Sequence, residues 1–217
     1  MTYGTIIADP PWRYKNWRSA VHGAAARQYE LMGQSDLLAL GDWVRSVAAP
    51  DAVMLLWATW PKLSEAMEIL GGWGFKYRTG IPWIKTTPST GKVRRGIGFW
   101  FMSTSEMVLV GVRGKATSGR TGAIGLLCGT EREFYAPCTG HSRKPDGLHA
   151  YAEEHLPGPR MEMFARRERP GWRCFGSDLG WLLTPDGPEA CDPTDHVVDA
   201  PVVRSKAQLG LFGEGAH

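Results

Sequence analysis

The sequence predicts an α/β fold, a sheet with helices packed on its faces. Apolar runs of strand length alternate with segments of helical period along most of the chain. Turn signals built on glycine and proline separate them. The length, 217 residues, suits one ordinary domain, or one plus a tail.

The elements follow in order. Residues 3–8 read as a strand that stops at Asp9-Pro10-Pro11, since two prolines neither continue a ladder nor enter a helix interior. A polar, aromatic loop runs to about residue 34. Ser35 then reads as an N-cap, with Leu37, Leu40, Val44 and Val47 on one helical face and Pro50 closing the element. Residues 51–58 (DAVMLLWA) read as a buried strand. Residues 62–71 read as a helix with Leu63, Met67 and Leu70 inward, and residues 75–85 as a strand interrupted near Gly80-Ile81-Pro82. A basic loop carrying Lys92, Arg94 and Arg95 leads to a strand at residues 106–112. Residues 113–140 are glycine-rich and unassigned. Residues 145–155 read as a helix with Pro145 in its first turn, and 160–164 and 173–175 as short strands. Residues 181–217 hold four prolines and no sustained period, and read as a disordered tail behind a domain of residues 1–180.

Composition excludes several classes. The chain is 43% hydrophobic and 22% charged, which excludes wholesale disorder and a fibrous repeat. No apolar run reaches the ~18 residues of a spanning helix, and the N-terminus lacks the pattern of a signal peptide. The four cysteines form no C-x-x-C pair, and Cys128, Cys138 and His141 fit no common zinc spacing, so no metal is expected. A reduced cytoplasmic setting is the default. The net charge is +3, yet residues 181–217 are acidic, so the body is basic and suited to a polyanion.

The chemistry concentrates at Asp9-Pro10-Pro11-Trp12. In open α/β sheets, ligands bind at the carboxyl ends of strands. The prolines stiffen the backbone, so that the Asp9 carboxylate and the Pro10 carbonyl, both acceptors, can take the two hydrogens of a planar amino group. Trp12 offers a face or wall for a base. An adenine amine fits such a set, provided the base is flipped or unpaired. A plain Asx–Pro turn with Trp12 in the core is the alternative.

The tetrapeptide DPPW after an apolar strand resembles the catalytic motif of the adenine-N6 methyltransferases related to the catalytic subunit of the eukaryotic messenger-RNA methyltransferase, a family with bacterial and phage members. Further family-like stretches follow in order: Leu55 to Thr59 with Gly74 to Tyr77, Gly96 to Trp100 with Glu106 to Gly111, His141 to Asp146, and Glu162 to Arg166. The resemblance implies a permuted, Rossmann-like fold that uses S-adenosylmethionine. It implies that Asp9 and Pro10 hold the target amine, with Pro11 and Trp12 completing the motif. It also implies that Lys144 pairs with the methionine carboxylate of the cofactor. Glu162 and Arg166 would lie near its ribose and methionine portion. Gly176-Ser177-Asp178 matches the stretch that touches the ribose, with Ser177 where the family has asparagine. The family's upstream acid for the cofactor adenine has no counterpart here, which leaves the adenine pocket unassigned.

Cations interleaved with aromatics after Trp12 (Arg13, Tyr14, Lys15, Trp17, Arg18) suit phosphates and bases, as do Arg94 and Arg95. Arg166, Arg167, Arg169 and Arg173 are either a solvated edge or a nucleic-acid or cofactor contact. In the tail, Gln208-Leu209-Gly210-Leu211-Phe212 is similar to the peptide by which bacterial replication and repair proteins dock on the DNA polymerase sliding clamp. That peptide favours DNA as substrate. An RNA substrate, or an inactive nucleic-acid-binding partner subunit, are the alternatives.

Overall fold

The computed structural model describes residues 1–14, 31–96, 100–117, 135–138 and 143–193. In chain order it contains β1 (Tyr3–Ala8), α1 (Gln34–Ala39), α2 (Gly41–Val47), β2 (Ala48–Ala58), α3 (Leu63–Gly72), β3 (Lys76–Thr86), β4 (Ser105–Arg113), β5 (Tyr135–Pro137), α4 (Gly147–His155), β6 (Arg160–Met163), β7 (Trp172–Phe175), β8 (Trp181–Thr184) and β9 (Gly187–Ala190). Seven strands form one sheet in the order β5-β3-β4-β2-β1-β6-β7, and β8 and β9 form a separate hairpin. β1 runs parallel to β2 and β6, and β6 parallel to β7, while β4 runs antiparallel to β2 and β3. The fold is therefore mixed α/β, as the alternation of elements predicts.

Both faces of the sheet are covered, which is why β1 and β2 are apolar nearly throughout. One core joins Ile6, Met54, Leu56 and Leu109 to Leu37, Leu40, Val44, Ile69, Leu70 and Trp73 from α1–α3. The other joins Ile7, Val53, Leu55, Trp57 and Val108 to Leu148, Ala152 and Leu156 around α4. Alternation of side chains along each strand sends Ile6 to one core and Ile7 to the other. Among the described residues, no helix is long and apolar enough to cross a membrane.

Several expectations are corrected. Ser35 does not cap a helix. Gly33 holds that position, its N–H donating to the Asp36 carboxylate at 2.9 Å, and Leu40 divides the segment into α1 and α2. Pro50 lies inside β2 rather than ahead of it. It falls where the register against β1 slips, between Tyr3↔Ala48 and Thr5↔Val53, so no ladder bond needs its missing N–H. α3 buries Ala66, Ile69 and Leu70, while Met67 is exposed, because the stripe continues to Trp73 rather than centring on Met67. β3 passes through Gly80-Ile81-Pro82 unbroken. Pro82 pairs only with β4, because β5 joins β3 from Ile84 onward. Pro145 precedes α4, with Asp146 at the N-cap position.

The chain after residue 180 does not begin as a disordered tail. Residues 181–190 form the β8–β9 hairpin, held by Trp181 edge-on to Phe175 at 5.8 Å and by the Arg173 guanidinium lying over both rings. Strands of four residues are too short to show a period. The clamp-like peptide at 208–212 lies outside the described residues, as do Lys15, Trp17 and Arg18.

Candidate active site

The parallel strands β1, β2, β6 and β7 end on the same edge of the sheet, at Asp9, Thr59, Phe164 and Gly176. The antiparallel strand β4 starts there, so Glu106 joins them, and Lys144 arrives just ahead of α4. Asp9, Thr59, Phe164, Glu106 and Lys144 line one cleft with Pro10, Pro11, Trp12, Tyr14, Trp57, Ala58, Ala165, Arg166, Ser177 and Asp178. It encloses about 810 Å³ including its open mouth. Its place at the carboxyl edge is that of ligand sites in open α/β sheets.

The floor of the cleft is a chain of alternating charges. Lys144 Nζ lies 2.8 Å from Asp9 Oδ1 and 3.3 Å from Glu106 Oε2, and Lys85 Nζ lies 2.5 Å from Glu106 Oε1. Lys144 also sits 5.4 Å from the centre of the Trp57 ring. Burial pushes the Asp9 carboxyl above the ordinary aspartate range, and Lys144 only partly opposes it. Burial acts the same way on Glu106, but the Lys144 and Lys85 ammoniums outweigh it and hold its carboxyl below the ordinary range. Burial would lower Lys144; the Asp9 and Glu106 carboxylates outweigh it and raise it. Opposite charges at these distances in a dry pocket couple strongly.

The Asp-Pro-Pro-Trp segment makes a tight turn. The Trp12 N–H donates to the Pro10 carbonyl at 2.9 Å, and the Pro11 carbonyl accepts from the Met32 N–H at 2.9 Å. The Pro10 carbonyl thus keeps one lone pair for another donor. Trp12 is only 6% exposed and packs into the core of α1–α3, so it walls the cleft rather than offering a free face.

A second cavity adjoins the first. It shares Pro11, Phe164 and Ser177 with the cleft and is otherwise lined by Arg13, Leu31, Met32, Asp36, Gly176, Trp181, Leu182 and Leu183. Phe164 stands between the two with a left-handed φ of 62°, uncommon for a bulky side chain and typical of functional turns. A Cβ on Gly176 would lie 2.0 Å from the Ala165 carbonyl oxygen, so only glycine lets the two turns meet. Gly176→Ala is expected to cost about 1–3 kcal/mol by overpacking and to weaken ligand binding at the shared wall, measured by denaturant unfolding and titration calorimetry.

The remaining expected residues are scattered. Ser177, Asp178, Arg166 and Tyr14 line the cleft, and Arg13 lines the second cavity, its guanidinium donating to the Leu31 carbonyl. Glu162 lies off both cavities. It sits between the inward-facing Met161 and Met163, so it points to the opposite face of the sheet, where it meets His149 Nε2 at 2.9 Å. The arginine cluster divides: Arg167 and Arg169 bind Asp146, Arg173 covers the hairpin rings, and Arg166 alone of the four lines the cleft. Arg94 and Arg95 are exposed on the loop after β3. Sequence reasoning gave no site role to Glu106 and Lys85. The available signal was an acid at the head of an apolar strand and a lysine at the tail of the one before.

Residues 3–178 match the MT-A70 family. An MT-A70-like N(6)-adenosine-methyltransferase of Arabidopsis thaliana is 30% identical over 82% of this chain and 24% of its own length. The human N(6)-adenosine-methyltransferase catalytic subunit METTL3 is 28% identical over 85% of this chain and 30% of its own. The type II methyltransferase M.MunI of a Mycoplasma species is 26% identical over 82% of this chain and 78% of its own. The chain thus spans about a quarter to a third of the plant and human proteins and most of the length of the bacterial one. The matched region runs from β1 to the turn after β7, taking in both ends of the cleft, and the chain belongs to the MT-A70 family.

Proposed function

We propose that the protein is a DNA adenine-N6 methyltransferase that takes its methyl group from S-adenosylmethionine. The observation that carries this reading is the Asp9 carboxylate, partly open to the cleft at the end of β1, with a free lone pair on Pro10 beside it and a second cavity sharing its wall.

The residues fit the cofactor. Met32, Leu182, Leu183 and Trp181 give the second cavity apolar and aromatic walls suited to a purine, with the Asp36 carboxylate also lining it. Ser177 and Asp178 offer oxygens to a ribose, and Arg166 and Lys144 offer charge to a carboxylate. Lys144 meets both Asp9 oxygens, at 2.8 and 2.9 Å, and Glu106 at 3.3 Å, so it would meet an anion by giving up one of these three contacts. Glu162, turned toward His149, would act on the cofactor only through the fold. When bound, S-adenosylmethionine supplies an electrophilic methyl on a sulfonium.

The chain's own residues do the rest. Asp9 and Pro10 accept the two hydrogens of the amine and draw its lone pair out of conjugation with the ring. Trp12 and Pro11 wall the extruded base. Lys144 and Glu106 hold Asp9 in place, and Asp9 or solvent takes the proton that the amine loses. A permuted motif order is in keeping with the chain: the amine-holding turn follows the first strand, and the turn assigned to the ribose follows the seventh.

DNA is favoured over RNA by the bacterial type II relative, most of whose length is matched, and by the clamp-like peptide of Gln208, Leu209, Leu211 and Phe212. RNA is the second reading, favoured by the adenosine methyltransferases of plants and animals. Expression in a methylation-deficient bacterial host followed by modification-sensitive sequencing tests the reading. N6-methyladenine at a defined DNA motif is the expected result. Parallel transfer assays on single-stranded DNA, duplex DNA and RNA separate the two substrates. Failure to bind the cofactor in calorimetry would point instead to an inactive partner subunit.

A further inference from the structure

The rim of the cleft carries a large aromatic side chain that the proposed chemistry does not use. Trp60 follows Thr59, which lines the cleft, and opens the short turn Trp60–Lys62 between β2 and α3. It is 49% exposed. Its indole N–H donates to Ser105 Oγ at 2.9 Å, next to the cleft residue Glu106. The indole therefore bridges the ends of β2 and β4, with its edge pinned and much of its surface open. Tyr14, on the same rim, is 38% exposed, and its hydroxyl shares a hydrogen bond with Thr59 Oγ1 at 2.7 Å. A packing role would bury these rings. A half-exposed indole held by its one polar atom instead presents a rigid π-surface at little cost in side-chain entropy.

We propose that Trp60 is a stacking platform for the unpaired nucleobase adjacent to the target adenine. The inference rests on the methyltransferase reading of the cleft and extends it to the neighbouring nucleotide. Drawing one base into the cleft takes it out of the stack and leaves its neighbour with an uncovered face. An aromatic ring beside the cleft replaces that lost contact, whichever base is present. The segment between β3 and β4 interleaves cations with the exposed rings of Trp100 and Phe101, a mixture suited to phosphates and bases. Lys92, Arg94 and Arg95 are exposed on the loop that leaves the same edge of the sheet after β3, within a chain of net charge +3.

The test uses the full chain and oligonucleotide pools, DNA and RNA, each with one isotope-labelled adenine centred in randomised flanks. Matching pools carry a reduced abasic site immediately 5′ or 3′ of that adenine. Methyl transfer to the labelled base gives KM and kcat in whichever pool the wild type modifies. Trp60→Ala is expected to raise KM about tenfold on the intact pool with kcat little changed, and Trp60→Phe to recover most of the loss. One abasic pool should cost the wild type a similar factor, and Trp60→Ala should add nothing on that pool. A structural role would instead weaken transfer equally on intact and abasic pools. That result overturns the inference, as does an unchanged KM. Should Trp60→Ala fail to fold, Trp60→Leu, with apolar bulk but no π-face, is read the same way. Transfer by the wild type with no response to Trp60 overturns this inference alone; no transfer by the wild type to any pool overturns the reading of the cleft and this inference with it.

Discussion

Asp9→Asn is expected to lower methyl transfer by at least about a thousand-fold while leaving the fold intact. Asparagine keeps the shape of the side chain but turns one acceptor into a donor, which faces the hydrogens of the amine instead of accepting them. It also removes the negative charge that balances the positive charge developing on the amine. The fold survives because Lys144 is not orphaned: Glu106 remains 3.3 Å away. The ionisation of Asp9 also sets how stability and transfer depend on pH. Burial raises its pKa in the folded protein above the ordinary aspartate value, so the charged form works against folding, and stability from this group grows as the pH falls. At neutral pH the variant should therefore unfold at a midpoint no lower than the wild type. Wild-type transfer should fall on acidification at a pH above the ordinary aspartate value, as Asp9 takes up a proton. Transfer assays across pH, with denaturant unfolding of both proteins, check all three points, and retained methylation by the variant would refute the role.

Lys144→Met is expected to destabilise the protein by about 3–5 kcal/mol and to abolish activity. The ammonium separates two carboxylates, Asp9 and Glu106, whose side chains are 19% and 12% exposed. Without it Glu106 retains Lys85, but Asp9 is left beside a like charge in a dry pocket. The cost depends on pH in a definite direction. In the wild type, Glu106 has a depressed pKa, so its contribution is present above the ordinary glutamate value and lost as the pH falls further. Lys144 has a raised pKa, so its contribution is present below the ordinary lysine value and lost as the pH rises through the raised one. Neither titrates between about pH 5.5 and 8. In the variant Glu106 loses the stronger of its two cationic partners, so a difference between variant and wild type that shrinks from pH 8 to about pH 5.5 reports protonation of the Asp9–Glu106 pair. Denaturant unfolding at the two pH values measures it, and an equal loss at both would mean that this pair does not carry the cost.

Asp9 was legible because its signal is local: a strand, an acid and two prolines in direct succession place a carboxylate at a sheet edge. Glu106 was not. Its meaning depends on β4 running antiparallel to β2 with Ala58 opposite Met107, which brings the start of one strand beside the end of the other. Glu162 shows the converse. It stands in a family-like stretch, yet the pleat turns it toward His149 and away from both cavities. Met67 lies off the buried stripe because a short helix offers two overlapping stripes, and only the sheet beneath selects one. The β8–β9 hairpin has no local signature because its order comes from Trp181 and Arg173 packing on Phe175, contacts between segments that no local pattern announces.

Alternation of apolar runs and helical periods, together with the stiff Asp9-Pro10-Pro11 turn, was enough to determine the α/β class and the place of one carboxylate at the sheet edge, since both rest on chemistry within a few residues. The tertiary structure decided the company that group keeps. Lys144, Glu106 and Lys85 are far apart in the chain and become one charged floor only when strand order and direction bring their ends together, and the coupling of buried charges acts through space.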